Sequence, residues 1–237
     1  LVVKVILYLL ERRKSMKKRI LYLISGVILL IGACSPIEDR EEAGPIVPAS
    51  DFKYTITHYF MKEKVLVAMS GGVDSSVAAL LLKKQGYEVI GAFMKNWSDT
   101  KDPLTGRCAW RSERKMALKI ASKLNIPLIT LDFEKQYKKE VINKMFDKYK
   151  KGITPNPDID CNQKIKFPLL LKEAQKRKIN LIATGHYARV KKSKNKDKKD
   201  MYELLRGKDE TKDQSYFLYK ITQEELSHCL FPVGEYT

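Results

Sequence analysis

A glycine turn that follows a short apolar run is the first stretch of this sequence whose residue types could do chemistry. The run "VLVAM" ends at Met69, and "SGGVDSS" follows from residue 70 to residue 76. Gly71 and Gly72 permit backbone angles closed to other residues, and without side chains their N–H groups can approach an anion closely. A helix that begins at this turn would direct its free N–H groups and positive dipole end at the same point. The turn is therefore predicted to bind phosphate.

Cys161 is the second candidate for chemistry. Asp158 lies three residues before it, and Lys164 and Lys166 follow it. Because nearby ammonium groups favour a thiolate, we expect the pKa of this thiol to be depressed, and Asp158 is placed to relay a proton. Asp160, directly before the cysteine, would instead tend to raise that pKa. Taken without the surrounding residues, the pattern favours a small buried hydrophobe at Cys161 and a turn former at Asp158.

Four apolar runs of strand length position these candidates. They are "KVLVAM", "YEVIGAFM", "IPLITLD" and "INLIATGH", and such runs are typical of strands buried on both faces of a parallel sheet. Helical patterns separate the first three, in "SSVAALLLKKQG", which Gly86 closes, and in "CAWRSERKMALKIASKLN". The β-α-β-α-β order predicts an α/β fold with a doubly wound, mostly parallel sheet and right-handed crossovers. In such sheets ligands bind beyond the carboxyl ends of the strands, where the glycine turn lies.

Two further helices are predicted in the second half of the chain. "EKQYKKEVINKMFDKYKKG" and "QKIKFPLLLKEAQKRK" have helical periodicity and enclose a Pro-rich stretch, "ITPNPDIDCN", which we expect to be a loop. Pro168 is expected to perturb the start of the second helix. The lysine run at residues 191–199 is interpreted as a solvated hairpin or loop, with a nucleic-acid contact as the alternative.

The chain carries a large positive excess. Its 237 residues have a formal net charge of +17, and from Met61 onward 36 basic residues stand against 22 acidic ones. A polyanionic partner is plausible, with RNA or DNA ahead of an acidic membrane, although solvated lysines would give the same composition. The 4 cysteines form no CxxC pair, so neither a zinc ribbon nor a dense disulfide framework is indicated, and no metal site is predicted.

The first sixty residues do not match the rest. Residues 16–34, "MKKRILYLISGVILLIGAC", resemble a bacterial lipoprotein signal with Cys34 as the lipidation site. However, the chain opens on Leu1, "EDREEAGPIVPAS" is typical of a linker, and Met61 directly precedes the first strand. We therefore interpret residues 1–60 as an upstream extension outside the main domain, with a membrane-anchored fusion or a transmembrane anchor as the alternatives.

Further motifs connect the glycine turn to a known family. "SGGVDS" matches neither GxxxxGK[ST] nor GxGxxG, and it resembles the PP-loop of the N-type ATP pyrophosphatases. The blocks "FMKNW", "TPNPDIDCNQKIKF", "ATGHYAR", "LLRGKDETKDQSYFLY" and "LFPVGE" follow in this order. Their order and spacing are similar to those of the bacterial tRNA-specific 2-thiouridylases. The resemblance runs from Met61 to the end and implies a fold of the PP-loop, or adenine nucleotide alpha hydrolase-like, type.

The resemblance also implies an activity. Members of the family adenylate O2 of the wobble uridine of tRNA and replace that oxygen with sulfur from a cysteine persulfide, with Mg²⁺ accompanying ATP. The implied partners are tRNA and a sulfur-donor relay protein or cysteine desulfurase. Residues 61–220 would form the PP-loop catalytic domain and residues 221–237 the start of a following region. The implied location is the cytoplasm, with membrane binding not expected despite residues 16–34.

Site residues follow from the resemblance by position. The nucleotide site would comprise Ala68, Met69, Ser70, Gly71, Gly72, Val73, Asp74, Ser75, Met94 and Gly185. Contacts with tRNA would come from Asn156, Pro157 and Asp158 at the target uridine, and from His186, Lys212, Asp213 and Gln214. Cys161 would be one of two catalytic cysteines, with Asp158 as its acidic neighbour. For Cys108 and Cys229 we expect packing roles, and Trp97 and Tyr187 could stack on bases or pack in the core.

The second cysteine of the family, which carries the persulfide, lies downstream of the "FPVGE" segment. Because Cys229 precedes that segment, we expect this chain to bind ATP without completing sulfur transfer. One rival hypothesis is an adenylating ligase of the same superfamily that acts on a small metabolite. Another is a lipid-anchored protein that keeps the nucleotide-binding domain only as a binding module.

Overall fold

A parallel five-stranded sheet forms the centre of the described part of the chain. The structure, a computed structural model, describes residues 62–98, 109–194 and 197–237. The strands within those ranges are β1 Lys64–Ala68, β2 Glu88–Lys95, β3 Leu128–Asp132, β4 Leu181–Ala183, β5 Ala188–Lys194, β6 Asp200–Arg206 and β7 Cys229–Leu230. The sheet order is β3-β2-β1-β4-β7 with every neighbouring pair parallel, and β5 and β6 form a separate antiparallel pair. The predicted α/β class and mostly parallel sheet are confirmed.

Helices cover both faces of this sheet. They are α1 Val73–Gln85, α2 Ala109–Leu124, α3 (Glu134–Tyr137, Lys138–Ile142 and Asn143–Lys150), α4 (Pro157–Cys161, Asn162–Lys166 and Phe167–Lys176) and α5 Gln223–Ser227. The middle segments of α3 and α4 are π-helical, and short 3₁₀ turns occur at Ser215–Phe217 and Pro232–Glu235. As predicted, Gly86 ends α1 in the left-handed region, at φ 100°. Within the described ranges, no helix has the length and apolar character needed to cross a bilayer.

Alternate residues of β1 build two cores. Val65 and Val67 lie in a cluster with Ala79 and Leu82 of α1, whereas Leu66 lies in the cluster that contains the buried side of α4. This alternation follows from the two-residue period of a strand. Because β1 is buried on both faces, it holds α1 and α4 on opposite sides of one strand, and this arrangement positions the site described below.

Helix α4 begins earlier than the sequence predicted. The stretch "PDIDCN" was expected to be loop, but residues 157–161 form the first α-helical segment, so that prediction is wrong. The Asn156 side chain accepts hydrogen bonds from the N–H groups of Asp158 and Ile159, and Pro157 takes the first helical position. Asn at the N-cap followed by Pro is a helix-start signal. Pro168 lies just after the π-helical turn, which accommodates a ring that the regular ladder excludes.

The structure also bears on the predictions for the lysine run, for Cys229 and for the N-terminal extension. Lys191–Lys194 lie in the β5–β6 hairpin, as expected for the lysine run, with residues 195 and 196 outside the described part. Cys229 is buried in β7, as expected for a packing residue. The predicted extension at residues 1–60, with its signal-like segment and Cys34, lies outside the described residues, as do Met61 and Cys108.

Replacing Ile165 tests how far the fold depends on the α4 core. Its side chain is fully buried, so Ile165→Ala should lower the free energy of unfolding by about 2–5 kcal/mol. Ile153→Ala is the matched control, because Ile153 is 53% exposed and its truncation should change stability by no more than about 0.5 kcal/mol. Urea denaturation of both variants measures the difference. Equal losses would contradict the assigned core.

Candidate active site

The candidate site lies where the strand order of the sheet reverses. The chain runs from β1 outward to β2 and β3 and then returns to β4 on the other side of β1. Val67 of β1 is in register with Ala183 of β4, so both strands end at the same edge. The segments that follow them are the glycine turn and Gly185-His186. A reversal of strand order opens a crevice at the carboxyl ends of the strands, which is the usual ligand site of such sheets.

The glycine turn is held tightly between β1 and two helices. Gly71 has φ 88°, and a Cβ there would lie 2.6 Å from the Glu113 carbonyl oxygen of α2. The Ser75 hydroxyl lies 3.3 Å from both the backbone nitrogen and the Oγ of Ser70, and it donates to the Gly72 carbonyl. These contacts fix the conformation of the turn. The first N–H groups of α1, which lack intrahelical partners, are therefore available to an anion.

Gly185 brings β4 against the start of α1. A Cβ on Gly185 would lie 2.6 Å from the Ser75 nitrogen and 2.7 Å from the Asp74 carbonyl carbon. Only glycine permits this approach, because real Cβ atoms do not come so close to backbone atoms. The predicted nucleotide residues at 70–75 and 185 are thus brought together at one point of the crevice.

Three other predicted nucleotide residues lie deeper. Ala68 and Met69 are buried in the core, and the Met69 N–H donates to the Ala92 carbonyl. Met94 is half-buried on β2, in register with Leu131. Through their side chains Ala68 and Met69 support the turn. Their predicted contact with a nucleotide would therefore involve backbone atoms.

Cys161 lies at the junction between the first segment of α4 and its π-helical turn. Hydrogen bonds in a π-helix join residues five apart, as from the Phe167 N–H to the Asn162 carbonyl. Residues five apart in an α-helix point about 140° away from each other, whereas the π-helical turn brings them to one face. Lys166, five residues after Cys161, is therefore on the thiol's side of the helix. Both side chains are half-buried.

Burial controls the protonation of this cluster. It raises the pKa of the Cys161 thiol above its ordinary value, while the Lys166 ammonium opposes the shift and Asp158 adds to it. Burial also lowers the pKa of Lys166, against the attraction of Cys161 and Asp158. Tyr137 of α3 belongs to the same environment, because burial first and then Cys161 and Asp158 raise its pKa.

The predicted depression of the Cys161 pKa is wrong. Sequence proximity to two lysines suggested it, but desolvation outweighs the one lysine that acts on the thiol, Lys166. Lys164 is exposed. Asp160, which was expected to raise the pKa, has its Oδ2 3.1 Å from Lys148 Nζ, and the carboxylate that raises the pKa is Asp158.

His186 connects the Cys161 cluster to the end of β4. Its Nε2 lies 3.3 Å from Lys166 Nζ and its Nδ1 lies 2.7 Å from Thr184 Oγ1. The ring stacks on Phe167 with centroids 5.8 Å apart. Burial, followed by repulsion from Lys166, holds the pKa of His186 well below its usual range. A protonated Lys166 would donate to Nε2 of a neutral imidazole, whose Nδ1–H would then donate to Thr184.

Several of the remaining residues predicted to contact tRNA make hydrogen bonds within the protein. Asn156 caps α4, and Asp158 beside it is exposed. Asp213 accepts from the Gly207 and Ser215 N–H groups, which hold its pKa below the usual range although burial opposes this. Gln214 accepts from the Tyr187 N–H through Oε1 and donates its own N–H to the Tyr187 carbonyl. Among the predicted residues 212–214, only Lys212 is fully exposed.

Other residues at the site were missed by the sequence analysis. Thr184 and Asn162 lie inside blocks quoted above but were given no role, and Tyr137 lies in none of those blocks. The Asn162 amide donates to the Phe217 carbonyl and so ties the 213–217 segment to α4. Tyr187, left open as a base-stacking or core residue, donates its hydroxyl to Asp74 at 3.3 Å. No local pattern signals these contacts, because their partners are far apart in the chain.

Comparisons with known proteins place the sequence in a family. Residues 63–237 match the family model described as tRNA methyl transferase HUP domain. The tRNA-specific 2-thiouridylase MnmA of Christiangramia forsetii is 51% identical over 173 residues, which are 73% of this chain and 44% of that protein. The MnmA proteins of Flavobacterium johnsoniae and Bacillus licheniformis are each 49% identical, over 74% and 73% of this chain and 44% of each relative. The chain thus spans less than half the length of these relatives.

Alkylation of Cys161 tests the assigned electrostatics. Since the thiolate is the reacting form, iodoacetamide should modify Cys161 with a midpoint above the value of about 8.5 found for free cysteine. Lys166→Met removes the stabilising charge and should move the midpoint higher, whereas Asp158→Asn should move it lower. Peptide mass spectrometry separates Cys161 from the other cysteines. Identical midpoints in all three proteins would contradict the assignment.

Proposed function

Over residues 63–237 the chain belongs to the family described as tRNA methyl transferase HUP domain, and on this premise we propose that it binds ATP and adenylates a uridine of tRNA for exchange of oxygen by sulfur. The name and activity of the similar MnmA proteins support the thiouridylase reaction. This activity is proposed for the protein as a whole, and residues 63–237 are proposed to supply its PP-loop domain.

One observation carries the proposal: two consecutive residues, Gly185 and His186, connect the glycine turn to the cysteine cluster. Gly185 packs against the Ser75 nitrogen at the start of α1, and the next residue, His186, contacts Lys166 beside Cys161. A nucleotide held at the turn and a base that reaches Cys161 would therefore meet at one edge of the sheet. Reactions between two bound molecules need this proximity.

The glycine turn would hold the phosphates of ATP. Residues 70–75 supply the N–H groups at the start of α1. Because Gly185 has no side chain, the end of β4 packs close to these groups. Mg²⁺ usually takes its ligands from phosphate oxygens and one or two carboxylates. Asp74, in the first turn of α1, is the acidic residue nearest to this position in the chain. We propose that Mg²⁺ would come with ATP and offset the phosphate charge, and that Asp74, which also accepts a hydrogen bond from the Tyr187 hydroxyl, would be the carboxylate that helps to hold it.

Adenylation converts a poor leaving group into a good one. Uridine O2 attacks the α-phosphorus of ATP, the bond from that phosphorus to the β-phosphate oxygen breaks, and pyrophosphate leaves. The terminal sulfur of a cysteine persulfide then attacks C2, and AMP leaves with the oxygen. Asn156, Pro157 and Asp158, at the start of α4, are the residues proposed to hold the uridine, and His186, Lys212, Asp213 and Gln214 to contact tRNA around it.

Cys161 would complete the sulfur step. Its thiolate attacks the inner sulfur of the donor cysteine, the sulfur–sulfur bond breaks, 2-thiouridine is released and a disulfide remains, which a dithiol reductant reopens. Because burial raises the pKa of this thiol, its proton must be removed at that moment, and Asp158 is the acidic group that acts on it. The persulfide donor is a second cysteine supplied from outside the described residues. A cytoplasmic location, where ATP and tRNA are found, follows from this proposal.

Gly185→Ala tests the nucleotide site. Its new methyl group would collide with the Ser75 backbone, so ATP affinity measured by calorimetry should fall at least about tenfold, or about 1.4 kcal/mol. Gly152→Ala is the control, because no atom lies within 4 Å of a Cβ there although its φ is +72°. It should cost about 1–2 kcal/mol of stability and leave ATP affinity unchanged. Equal ATP affinity in both variants would count against the assigned site.

Cys161→Ser separates the two half-reactions. The variant should keep release of pyrophosphate from ATP that depends on unmodified tRNA, within about twofold of the parent chain, because the nucleotide turn is untouched. In a bacterium that lacks tRNA 2-thiouridine, a gene that encodes these residues together with the downstream persulfide cysteine should restore the nucleoside only with Cys161 intact. Nucleoside mass spectrometry provides the readout. Pyrophosphate release that ignores tRNA, or 2-thiouridine formed by the variant, would refute the proposed roles.

A further inference from the structure

The C-terminal end of α3 carries apolar side chains that protrude from the protein. Phe146, Tyr149 and Ile153 are 55%, 53% and 53% exposed. Phe146 and Tyr149 are three residues apart and so lie on one side of the helix, and Ile153 follows just beyond the helix end. Large apolar side chains exposed together are typical of interaction surfaces. We call these three residues, with Lys150 and Lys151, the α3-end surface.

The backbone of this surface is fixed by its own hydrogen bonds. The Gly152 N–H donates to the Tyr149 carbonyl at 2.9 Å, and the Ile153 N–H donates to the Lys148 carbonyl at 3.0 Å. Gly152 is left-handed, at φ 72°. This pair of bonds is the Schellman arrangement, which stops a helix with a defined geometry. The exposed side chains therefore project from an ordered helix end.

Charge around the surface favours a negatively charged partner. Lys150 and Lys151 are exposed beside the aromatic rings, and the chain has a formal net charge of +17. An apolar protein partner would need no such lysines, whereas phosphates attract them. Exposed aromatic rings between lysines provide both elements that bind single-stranded nucleic acid: a face on which bases stack and cations for the backbone.

The surface adjoins the Cys161 cluster. Lys148, next to Tyr149, is 3.1 Å from Asp160, the residue before Cys161. Earlier in α3, Tyr137 also lies near Cys161 and Asp158. Burial is the main cause that raises its pKa, and the charges of Cys161 and Asp158 add to this shift. Two residues, Thr154 and Pro155, separate Ile153 from Asn156, the cap of α4. A nucleotide bound at Cys161 would therefore have its chain neighbours within reach of Phe146 and Tyr149.

We propose that the α3-end surface binds the unpaired bases that flank the target uridine, by stacking on Phe146 and Tyr149 while Lys150 and Lys151 neutralise phosphates. This inference rests on the proposed function, since it takes RNA as the substrate of Cys161. It assigns to α3 the task of holding the neighbouring bases apart from the uridine, so that the uridine alone enters the site.

Binding of a fluorescent, unmodified anticodon stem-loop RNA tests the inference, measured by anisotropy at several salt concentrations. The double variant Phe146→Ala/Tyr149→Ala should bind about 5- to 100-fold more weakly, with the salt dependence unchanged. Tyr149→Phe should bind like the parent chain, because it keeps the ring. Lys150→Ala should instead reduce the slope of log affinity against log salt by about 0.7. Tyr236→Ala is the control, since Tyr236 is 52% exposed on a distant stretch of chain.

The possible outcomes separate this inference from the proposed function. Parent chain that binds no RNA and releases no tRNA-dependent pyrophosphate overturns both. If the double variant binds RNA as strongly as the parent chain, and the parent chain releases pyrophosphate in a tRNA-dependent way, only the inference is overturned. A double variant that binds RNA normally but sediments as a smaller species assigns the surface to a protein contact, which also overturns it. Urea denaturation should give equal midpoints, since all the replaced side chains are exposed.

Discussion

The site depends on the direct contact between β4 and the start of α1. Parallel pairing of β1 with β4 makes the two strands end together, and the missing side chain of Gly185 lets the backbone that follows β4 touch Ser75. If the two strands were not neighbours, the glycine turn would be an isolated anion site. Because they are, the nucleotide turn, the His186 ring and α4 share one edge of the sheet, and the buried β1 fixes their distances.

Desolvation dominates the chemistry of the cysteine cluster. Lys166, His186 and Cys161 shield one another from water, and each is shifted toward its neutral form. Burial therefore favours the neutral, protonated thiol of Cys161. A neutral thiol would suit the proposed order, in which Cys161 attacks only after a base has been adenylated, since a permanently ionised thiolate would be open to oxidation and alkylation at all times.

The sequence predicted the parts of the fold that depend on local pattern. The strand runs, the Gly86 stop and the glycine turn all rest on neighbouring residues, and each is found where expected. The π-helical turns, the depth of Cys161 and the pairing of Asp160 with Lys148 were not predictable. They depend on contacts between α3 and α4, which are distant from each other's local sequence patterns. The pKa of Cys161 in turn depends on how much water those contacts exclude. The start of α4 was predictable, because Asn156-Pro157 is a cap signal that the Pro-rich composition obscured.

The π-helical turn after Cys161 acts as a phase shift of one residue within α4. The residues proposed to serve the reaction lie before it, from the Asn156 cap to Cys161, whereas Ile165 within it and Phe167 and Leu170 beyond it fill the core. A regular α-helix with the same number of residues would turn the Cys161 end by about 100° relative to the core side. The π-helical turn therefore keeps the thiol and Lys166 on one side of α4 while the helix continues into the core.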